Sequence, residues 1–120
     1  MQPIDYSHAT GYWPDGWAGT DVRFSFTPPA GTKNVRVIFE KTGHIYNLLV
    51  FVTVNGTTYR RQVMANEVFF VDVPLVAGAT TADVHVVSEG TFVPKDQGIN
   101  DDARELSYLL RGVEARFAGE

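Results

Sequence analysis

Aromatic side chains are concentrated near the N-terminus of this chain. They are Tyr6, Tyr12, Trp13 and Trp17. Indole and phenol rings offer flat apolar faces with a polar tip, and the C–H face of a sugar ring can stack on them. A polar neighbour then selects the sugar hydroxyls, and Asp15 or Asn66 is suited to that part. These residue types predict a sugar-binding surface on Tyr12, Trp13 and Trp17, with Asp15 beside them.

The same residues also fit an ordinary structural interpretation. Large aromatic side chains often anchor a fold, so Trp17 can pack over one end of the core while Trp13 belongs to a plain turn. His44 lies in a second loop, residues 41–46, which mixes polar and aromatic side chains. We predict that His44 lines a pocket at an end of the domain. The sequence leaves both interpretations of the two tryptophans open.

Charged residues near the C-terminus form a second candidate site. The oxygens of Asp96, Asn100, Asp101 and Asp102 are ligands of the kind that calcium accepts in a flexible loop. Their spacing does not match an EF-hand loop, which needs ligands at alternate positions and a central glycine. We favour a bidentate clamp, in which Arg104 pairs with one aspartate and ties the loop to the domain. The prediction is therefore no cofactor, with calcium at the four oxygen-bearing residues as the alternative.

No catalytic motif is recognisable in the chain. The histidines, His8, His44 and His85, are far apart in sequence and form no zinc-binding pattern. A nucleophile elbow and a glycine-rich phosphate-binding motif are both missing from the sequence. The net charge is −4, and the Lys and Arg residues are too scattered to form a basic stripe for nucleic-acid phosphates. We therefore expect neither an enzyme nor a nucleic-acid-binding protein.

A period of two dominates the chain and indicates β-strands. Apolar residues alternate in runs near residues 22–26, 34–40, 48–54, 59–63, 68–73 and 82–88. The run at 48–54 is apolar on both faces, so we expect a central strand that is covered on both sides. His85 stands between Val84 and Val86 and is predicted to point out of its sheet.

Turn residues separate these runs. Pro28 and Pro29 end one strand because proline cannot donate a hydrogen bond to its neighbour, and Asn55-Gly56 favours a two-residue type I′ hairpin turn. Eight or nine short strands follow at a spacing of about ten residues, as in all-β sandwiches. We predict an all-β fold, a single antiparallel β-sandwich of jelly-roll type over residues 1–120.

Length and composition fit one globular domain. A chain of 120 residues buries roughly two thirds of its unfolded surface, and 44% hydrophobic with 20% charged residues argues against disorder. The chain has no cysteine, which excludes disulfides and thiolate metal sites. The first residues do not resemble a signal peptide, and the longest apolar run is too short to cross a bilayer. We expect no membrane span and either a cytoplasmic protein or a domain of a longer one.

Two segments near the ends of the chain resemble one known kind of module. Residues 11–19 (GYWPDGWAG) run into DVRFSF, while TFVP at 91–94 is followed by a Gly/Asn/Asp loop, Asp-x-Arg-x-Leu-Ser and a last apolar strand. This pattern resembles the opening and closing segments of β-sandwich modules attached to glycosyltransferases of bacterial cell-surface polysaccharide biosynthesis. Ser107 stands where glycine is more usual in these modules.

The resemblance bears on one ambiguous segment. After Asp102 the apolar residues are spaced as on a helix, at positions 103, 106, 109 or 110, and 113, and Asp102 with Glu105 could form a capping box. Local rules alone favour a helix. In the family this segment closes the sheet, so the resemblance implies a strand from about Ser107 onward, with a helical turn near residues 101–105. We predict the strand.

The first functional prediction is a non-catalytic, lectin-like accessory module. It would recognise a glycan or a polysaccharide acceptor, with the side chains of Tyr12, Trp13, Asp15, Trp17 and His44. The resemblance adds a glycosyltransferase domain of the same protein as a partner, and a larger bacterial envelope-polysaccharide protein as the host.

The second functional prediction is a structural or protein-interaction β-sandwich. Such a domain packs on a neighbouring domain or self-associates. An uncovered apolar sheet face formed by Leu49, Phe51 and Phe70 would favour this alternative, whereas an exposed surface of coplanar Tyr12 and Trp13 rings would favour sugar binding.

Overall fold

Nine antiparallel strands are found in residues 1–6 and 8–119, which are the residues that this computed structural model describes. The strands are β1 (Gln2–Pro3), β2 (Thr10–Tyr12), β3 (Trp17–Phe26), β4 (Thr32–Glu40), β5 (Leu48–Val54), β6 (Thr57–Val63), β7 (Val68–Pro74), β8 (Ala82–Glu89) and β9 (Tyr108–Phe117). The described residues include no helix that is long and apolar enough to cross a membrane. The predicted all-β class and strand number are confirmed.

Most neighbouring strands in the sheet are not consecutive in the sequence. The strand order runs β6-β5-β8-β3-β9-β4-β7, with β1 beside β9 and β2 beside β3. β3 joins the two halves, because its first residues, Trp17 and Ala18, pair with β9 while residues 21–26 pair with β8. The two end strands also approach each other, since Arg61 Nη1 donates to the Phe70 carbonyl oxygen at 3.0 Å. The sheet is therefore nearly closed and barrel-like, in agreement with the predicted antiparallel sandwich.

Alternate residues of the long strands fill the core. Val35, Val37 and Phe39 of β4 face inward with Val50 and Val52 of β5, and all five are fully buried. Each such side chain contributes about 1.5–3 kcal/mol relative to an exposed one. A shift of one residue in the pairing would turn these side chains to solvent, so the apolar pattern also sets the register. The inward faces predicted for these two strands are confirmed.

The outer face of β5 differs from the prediction. Leu49, Phe51 and Thr53 are only half-buried, because no second layer of described residues covers this side of the strand. β5 lies between β6 and β8, one strand from the end of the sheet order. The expectation of cover on both faces is thus right for the inner face alone.

The turn between β5 and β6 has the predicted backbone conformation. Asn55 and Gly56 both have positive φ, 48° and 87°, as a type I′ turn requires. Val54 pairs with Thr57 across the two-residue loop. The twist of this turn matches the twist of the flanking strands, which is why the hairpin forms here.

The C-terminal segment is the predicted strand, and a β-bulge explains its helix-like spacing. β9 begins at Tyr108 and pairs with β4, but the register shifts between Ile38 and Phe39 of β4, so β9 carries one extra residue there. Leu110 and Val113 both face the core in consequence, three residues apart. The helical turn expected near residues 101–105 is wrong, because these residues are irregular and the Arg104 amide donates to a side chain instead.

Candidate functional site

The turn between β2 and β3 sets Trp13 and Trp17 opposite each other. The Trp13 amide donates to the Trp17 carbonyl oxygen at 2.9 Å, and the Trp17 amide donates to Asp15 Oδ1 at 3.2 Å. Residues that are paired in an antiparallel hairpin project to the same side. The next pair, Tyr12 with Ala18, projects to the other side, where Ala18 is fully buried. Both indoles therefore belong to the outer surface, and both are half-buried.

The Trp13 indole is held in place by its neighbours. The guanidinium carbon of Arg104 lies 4.9 Å from the centre of the Trp13 ring, within the range of a cation–π interaction. The edge of the indole also contacts Gly19, since a Cβ at that glycine would come 3.7 Å from Trp13 Cη2. The ring is thus fixed against β3 and does not project freely into solvent.

Arg104 forms the predicted clamp, and it does so with two carboxylates. Its Nη2 donates to Asp15 Oδ2 and to Asp102 Oδ2, each at 2.7 Å, and its Nε donates to Asp102 Oδ1 at 3.0 Å. Donation from Arg104 holds the pKa of Asp15 and of Asp102 below the usual carboxyl range. The same hydrogen bonds raise the pKa of Arg104, and the bond to Asp102 has the larger effect. The clamp ties the last loop to the β2–β3 turn.

Trp17 and His44 meet at Phe92. The Trp17 ring is 5.3 Å from that of Phe92 in an edge-to-face arrangement, and the His44 imidazole stacks on Phe92 at 4.5 Å. The rings of Trp17 and His44 are themselves 6.4 Å apart. Phe92 is buried whereas His44 is exposed. Trp17 therefore contacts the core through Phe92, as its structural interpretation requires, and still presents part of its surface beside His44.

Tyr12 is separated from this group. Its ring packs edge-to-face against Tyr6 at 5.3 Å, and burial raises the pKa of Tyr6. A cleft of 380 Å³ adjoins the two rings; its other lining residues are Ile4, Asp5 and Pro14. Successive residues of an extended chain point to opposite sides, so Tyr12 and Trp13 face different surfaces. The expected surface of coplanar Tyr12 and Trp13 rings therefore does not form. Of the five predicted residues, the structure brings together Trp13 with Asp15 and Trp17 with His44.

Asn66, the other residue considered for selecting hydroxyls, contacts a buried lysine. Its Oδ1 accepts a hydrogen bond from Lys41 Nζ at 2.7 Å, and Lys41 is almost fully buried. The Lys41 ammonium also donates to the Thr42 carbonyl oxygen at 3.2 Å. A buried ammonium needs such acceptors to replace water. Asn66 therefore holds the start of the loop that carries His44.

The proposed calcium ligands do not form a recognisable cluster. The Asp102 carboxylate is engaged by Arg104, and Asn100 Oδ1 accepts from the Asp102 amide at 2.8 Å. Asp96 and Asp101 are exposed. Within residues 1–6 and 8–119, no three His, Asp or Glu side chains are placed to hold a metal ion together. The interpretation of this segment as an arginine clamp agrees with these contacts.

Sequence reasoning missed a groove on the outer face of β3, β8 and β5 that combines polar side chains with apolar ones such as Phe24 and Val84. The groove has a volume of 740 Å³, and its lining includes Arg23, Ser25, Thr53, Asp83 and His85. The signal was present in the alternation of charged and apolar residues along β3. His85 points outward as predicted, while Val84 and Val86 are buried.

Comparison of this chain with protein-family models, with curated proteins and with solved structures finds no match in any of the three. The chemistry of the outer surface is consequently the basis for a functional assignment.

Proposed function

We propose that this domain is a non-catalytic carbohydrate-binding module that recognises a glycan or a polysaccharide acceptor. The observation that carries the proposal is the pair of half-exposed indoles, Trp13 and Trp17, on one outer surface with the Asp15 carboxylate between them in the turn. An indole has two flat faces, and since Arg104 lies over one face of Trp13, the opposite face is the one proposed for the C–H side of a sugar ring. Because Arg104 and Gly19 already hold Trp13 in position, little side-chain freedom is lost on binding.

Fixed polar groups beside the indoles favour the same ligand class. Asp15 is held by Arg104, so its carboxylate keeps one orientation and can accept from sugar hydroxyls at a set distance. His44, an exposed residue, adds an imidazole near Trp17. A single shallow site of this kind binds weakly, and tethering to an enzyme or to repeated sites on a polymer makes such binding effective. A glycosyltransferase domain in a bacterial envelope-polysaccharide protein, as the resemblance implies, is the tether that we propose.

A glycan array tests this proposal with the wild-type domain and the Trp13→Ala and Tyr59→Ala variants. Tyr59 is an exposed tyrosine on β6, away from the β2–β3 turn, and serves as the matched aromatic control. We expect reproducible binding that Trp13→Ala abolishes and Tyr59→Ala retains. Circular dichroism checks that each variant is folded. Absence of binding by the folded wild-type domain, or equal binding by all three proteins, would contradict the proposal.

An EDTA arm of the same array addresses calcium. Loss of binding in EDTA and its recovery with added calcium would support the acidic loop around Asp101 and Asp102 as a metal site. Binding that is unchanged by EDTA is expected if Arg104 alone orders this loop.

Protein interaction is the second candidate function, and it has one supporting observation. Val68 and Phe70 on β7, an end strand of the sheet order, are 59% and 43% exposed. Leu49 and Phe51 lie on β5, which is not paired with β7, so they and Phe70 are not on adjacent strands. Sedimentation velocity over a range of concentrations tests self-association. A concentration-dependent dimer that Val68→Lys abolishes would favour this function.

A further inference from the structure

The outer face of β3 connects the indoles to the groove beside His85. Trp17, Asp21, Arg23 and Ser25 alternate with inward residues, of which Val22 is fully buried. Residues two apart on a strand share a face, at about 3.3 Å per residue. The line from residue 17 to residue 25 is therefore about 26 Å long. The Trp13 indole, whose Cη2 lies beside Gly19, adjoins this line between Trp17 and Asp21.

Polar side chains on neighbouring strands lie beside Arg23, near the residue-25 end of this line. Arg23 is paired with Thr10 of β2 on one side and with His85 of β8 on the other, and His85 is paired with Thr53 of β5. These four residues lie side by side across four strands. All four line the groove of 740 Å³.

The groove and the adjoining Asp21 on β3 offer donors and acceptors together. Asp21 Oδ1 accepts from Arg23 Nε at 3.1 Å and lies 3.0 Å from His85 Nε2. Among the hydrogen bonds of the described residues, those of Arg23 engage Nε and those of Asp21 engage Oδ1. The terminal nitrogens of Arg23 and Oδ2 of Asp21 thus remain for a ligand, and both side chains are more than half exposed.

The mixture of charges selects among ligands. A sugar hydroxyl both donates and accepts, so neighbouring hydroxyls can use an aspartate oxygen and an arginine nitrogen at once. An anionic ligand bound to Arg23 would instead meet the carboxylates of Asp21 and Asp83 on the same face. The donors and acceptors therefore fit a neutral, hydroxyl-rich ligand.

We infer that the glycan site continues along the outer face of β3, so that an extended neutral oligosaccharide stacks on the indoles of Trp13 and Trp17 and hydrogen-bonds to Asp21, Arg23 and His85. This inference rests on the proposed function for its ligand class. It adds that the domain binds along a chain and not only at a terminal sugar. Stacking dominates at the aromatic end, and hydrogen bonding dominates in the groove.

Chemical-shift titration of the ¹⁵N-labelled domain tests the inference. The probes are neutral hexasaccharides of glucose, mannose, galactose or xylose, with the corresponding disaccharides and a hexagalacturonate. We expect at least one neutral hexasaccharide to shift the indole N–H signals of both tryptophans together with the backbone amides of Arg23 and His85. The corresponding disaccharide, which is too short to span the line, should bind about tenfold more weakly.

Two variants sharpen the test. In the double variant Arg23→Gln/His85→Gln, the roughly tenfold preference for the hexasaccharide should disappear, so that both chain lengths bind with about equal affinity. Arg111→Gln, which removes an exposed arginine paired with Glu40 on the other half of the sheet, is the control and should keep the preference.

The outcomes separate this inference from the proposed function. Shifts at the indoles alone, with equal affinity for both chain lengths, would overturn the extended site and leave the aromatic site standing. Tighter binding of the hexagalacturonate than of every neutral probe would overturn the neutral ligand class. No shift at either end with any probe would overturn both the aromatic site and its extension.

Discussion

Arg104 Nη2 donates to Asp15 Oδ2 at 2.7 Å, although 89 residues separate the two in sequence. The same nitrogen donates to Asp102 at an equal distance, and the guanidinium lies over the Trp13 ring. One side chain therefore joins the last loop, the first hairpin turn and the proposed aromatic site. Its loss should affect both stability and ligand binding.

The Arg104 clamp predicts a stability loss in acid. Because Arg104 donates to them, the pKa of Asp15 and of Asp102 is lower in the folded than in the unfolded protein. The stabilisation is complete above the unfolded carboxyl pKa, about 4, and is lost as the pH falls through the lower native values. We expect the free energy of unfolding to decrease below about pH 4, and less steeply in Arg104→Met. Urea unfolding followed by circular dichroism from pH 6 to pH 2 measures this, and an unchanged slope in the variant would contradict it.

The buried hydroxyls of Ser88 and Ser107 predict strong coupling between two substitutions. Their Oγ atoms lie 2.8 Å apart, and Ser107 Oγ also donates to the Gly90 carbonyl oxygen at 2.8 Å. Ser107→Ala should cost about 1–3 kcal/mol, because it leaves a buried hydroxyl and a carbonyl without a partner. Ser88→Ala/Ser107→Ala should cost less than the sum of the single changes. Urea denaturation of the four proteins gives the cycle, and strict additivity would show that the hydroxyls do not interact.

Gly11 and Gly56 provide a matched pair for backbone strain. Both have positive φ, 78° and 87°, but a Cβ at Gly11 would overlap the Asp21 carbonyl group, whereas a Cβ at Gly56 meets nothing within 4 Å. We expect Gly56→Ala to cost about 1–2 kcal/mol through the left-handed conformation alone, and Gly11→Ala to cost clearly more. Thermal unfolding of both variants measures the difference. Equal destabilisation would mean that β2 can move away from β3 without loss.

The hydroxyl of Tyr108 predicts a stabilising substitution. Tyr108 is fully buried, its Oη has no hydrogen-bond partner among the described residues, and burial raises its pKa. Tyr108→Phe removes an unsatisfied polar group and keeps the ring that packs edge-to-face on Phe39. We expect the free energy of unfolding to rise by about 1 kcal/mol. Tyr59→Phe, at an exposed tyrosine, should change little. A loss of stability in Tyr108→Phe would reveal a partner for the hydroxyl.

Local sequence patterns were sufficient for most strands and turns. The alternation of Val35, Val37 and Phe39 predicted the buried face of β4, and Asn55-Gly56 predicted the hairpin that follows β5. Both depend on a few adjacent residues, because side-chain alternation and turn geometry are properties of short segments. The helix-like spacing around Leu110 and Val113 also has a local cause. The β-bulge inserts one residue into the strand alternation, so that the apolar residues are spaced as on a helix.

The residue types of the aromatic site were also recognisable in the sequence, but their arrangement was not. Trp13 and Trp17 share a surface because they are paired across the β2–β3 turn, while Tyr12, one residue earlier, turns toward Tyr6. His44 comes close to Trp17 because both rings contact Phe92, the His44 ring by stacking and the Trp17 ring edge-to-face. The contacts of Trp17 with His44 and Phe92 join segments that are far apart in the chain, whereas the other two depend on how the turn folds.

The sequence by itself determined that the chain forms antiparallel strands, where most of them lie and which faces they bury. Only the tertiary structure decided the strand order β6-β5-β8-β3-β9-β4-β7, the clamp of Arg104 on Asp15 and the groove beside His85. The physical reason is that alternation is encoded between neighbouring residues, whereas pairing across tens of residues is selected by how the whole apolar surface is buried at once.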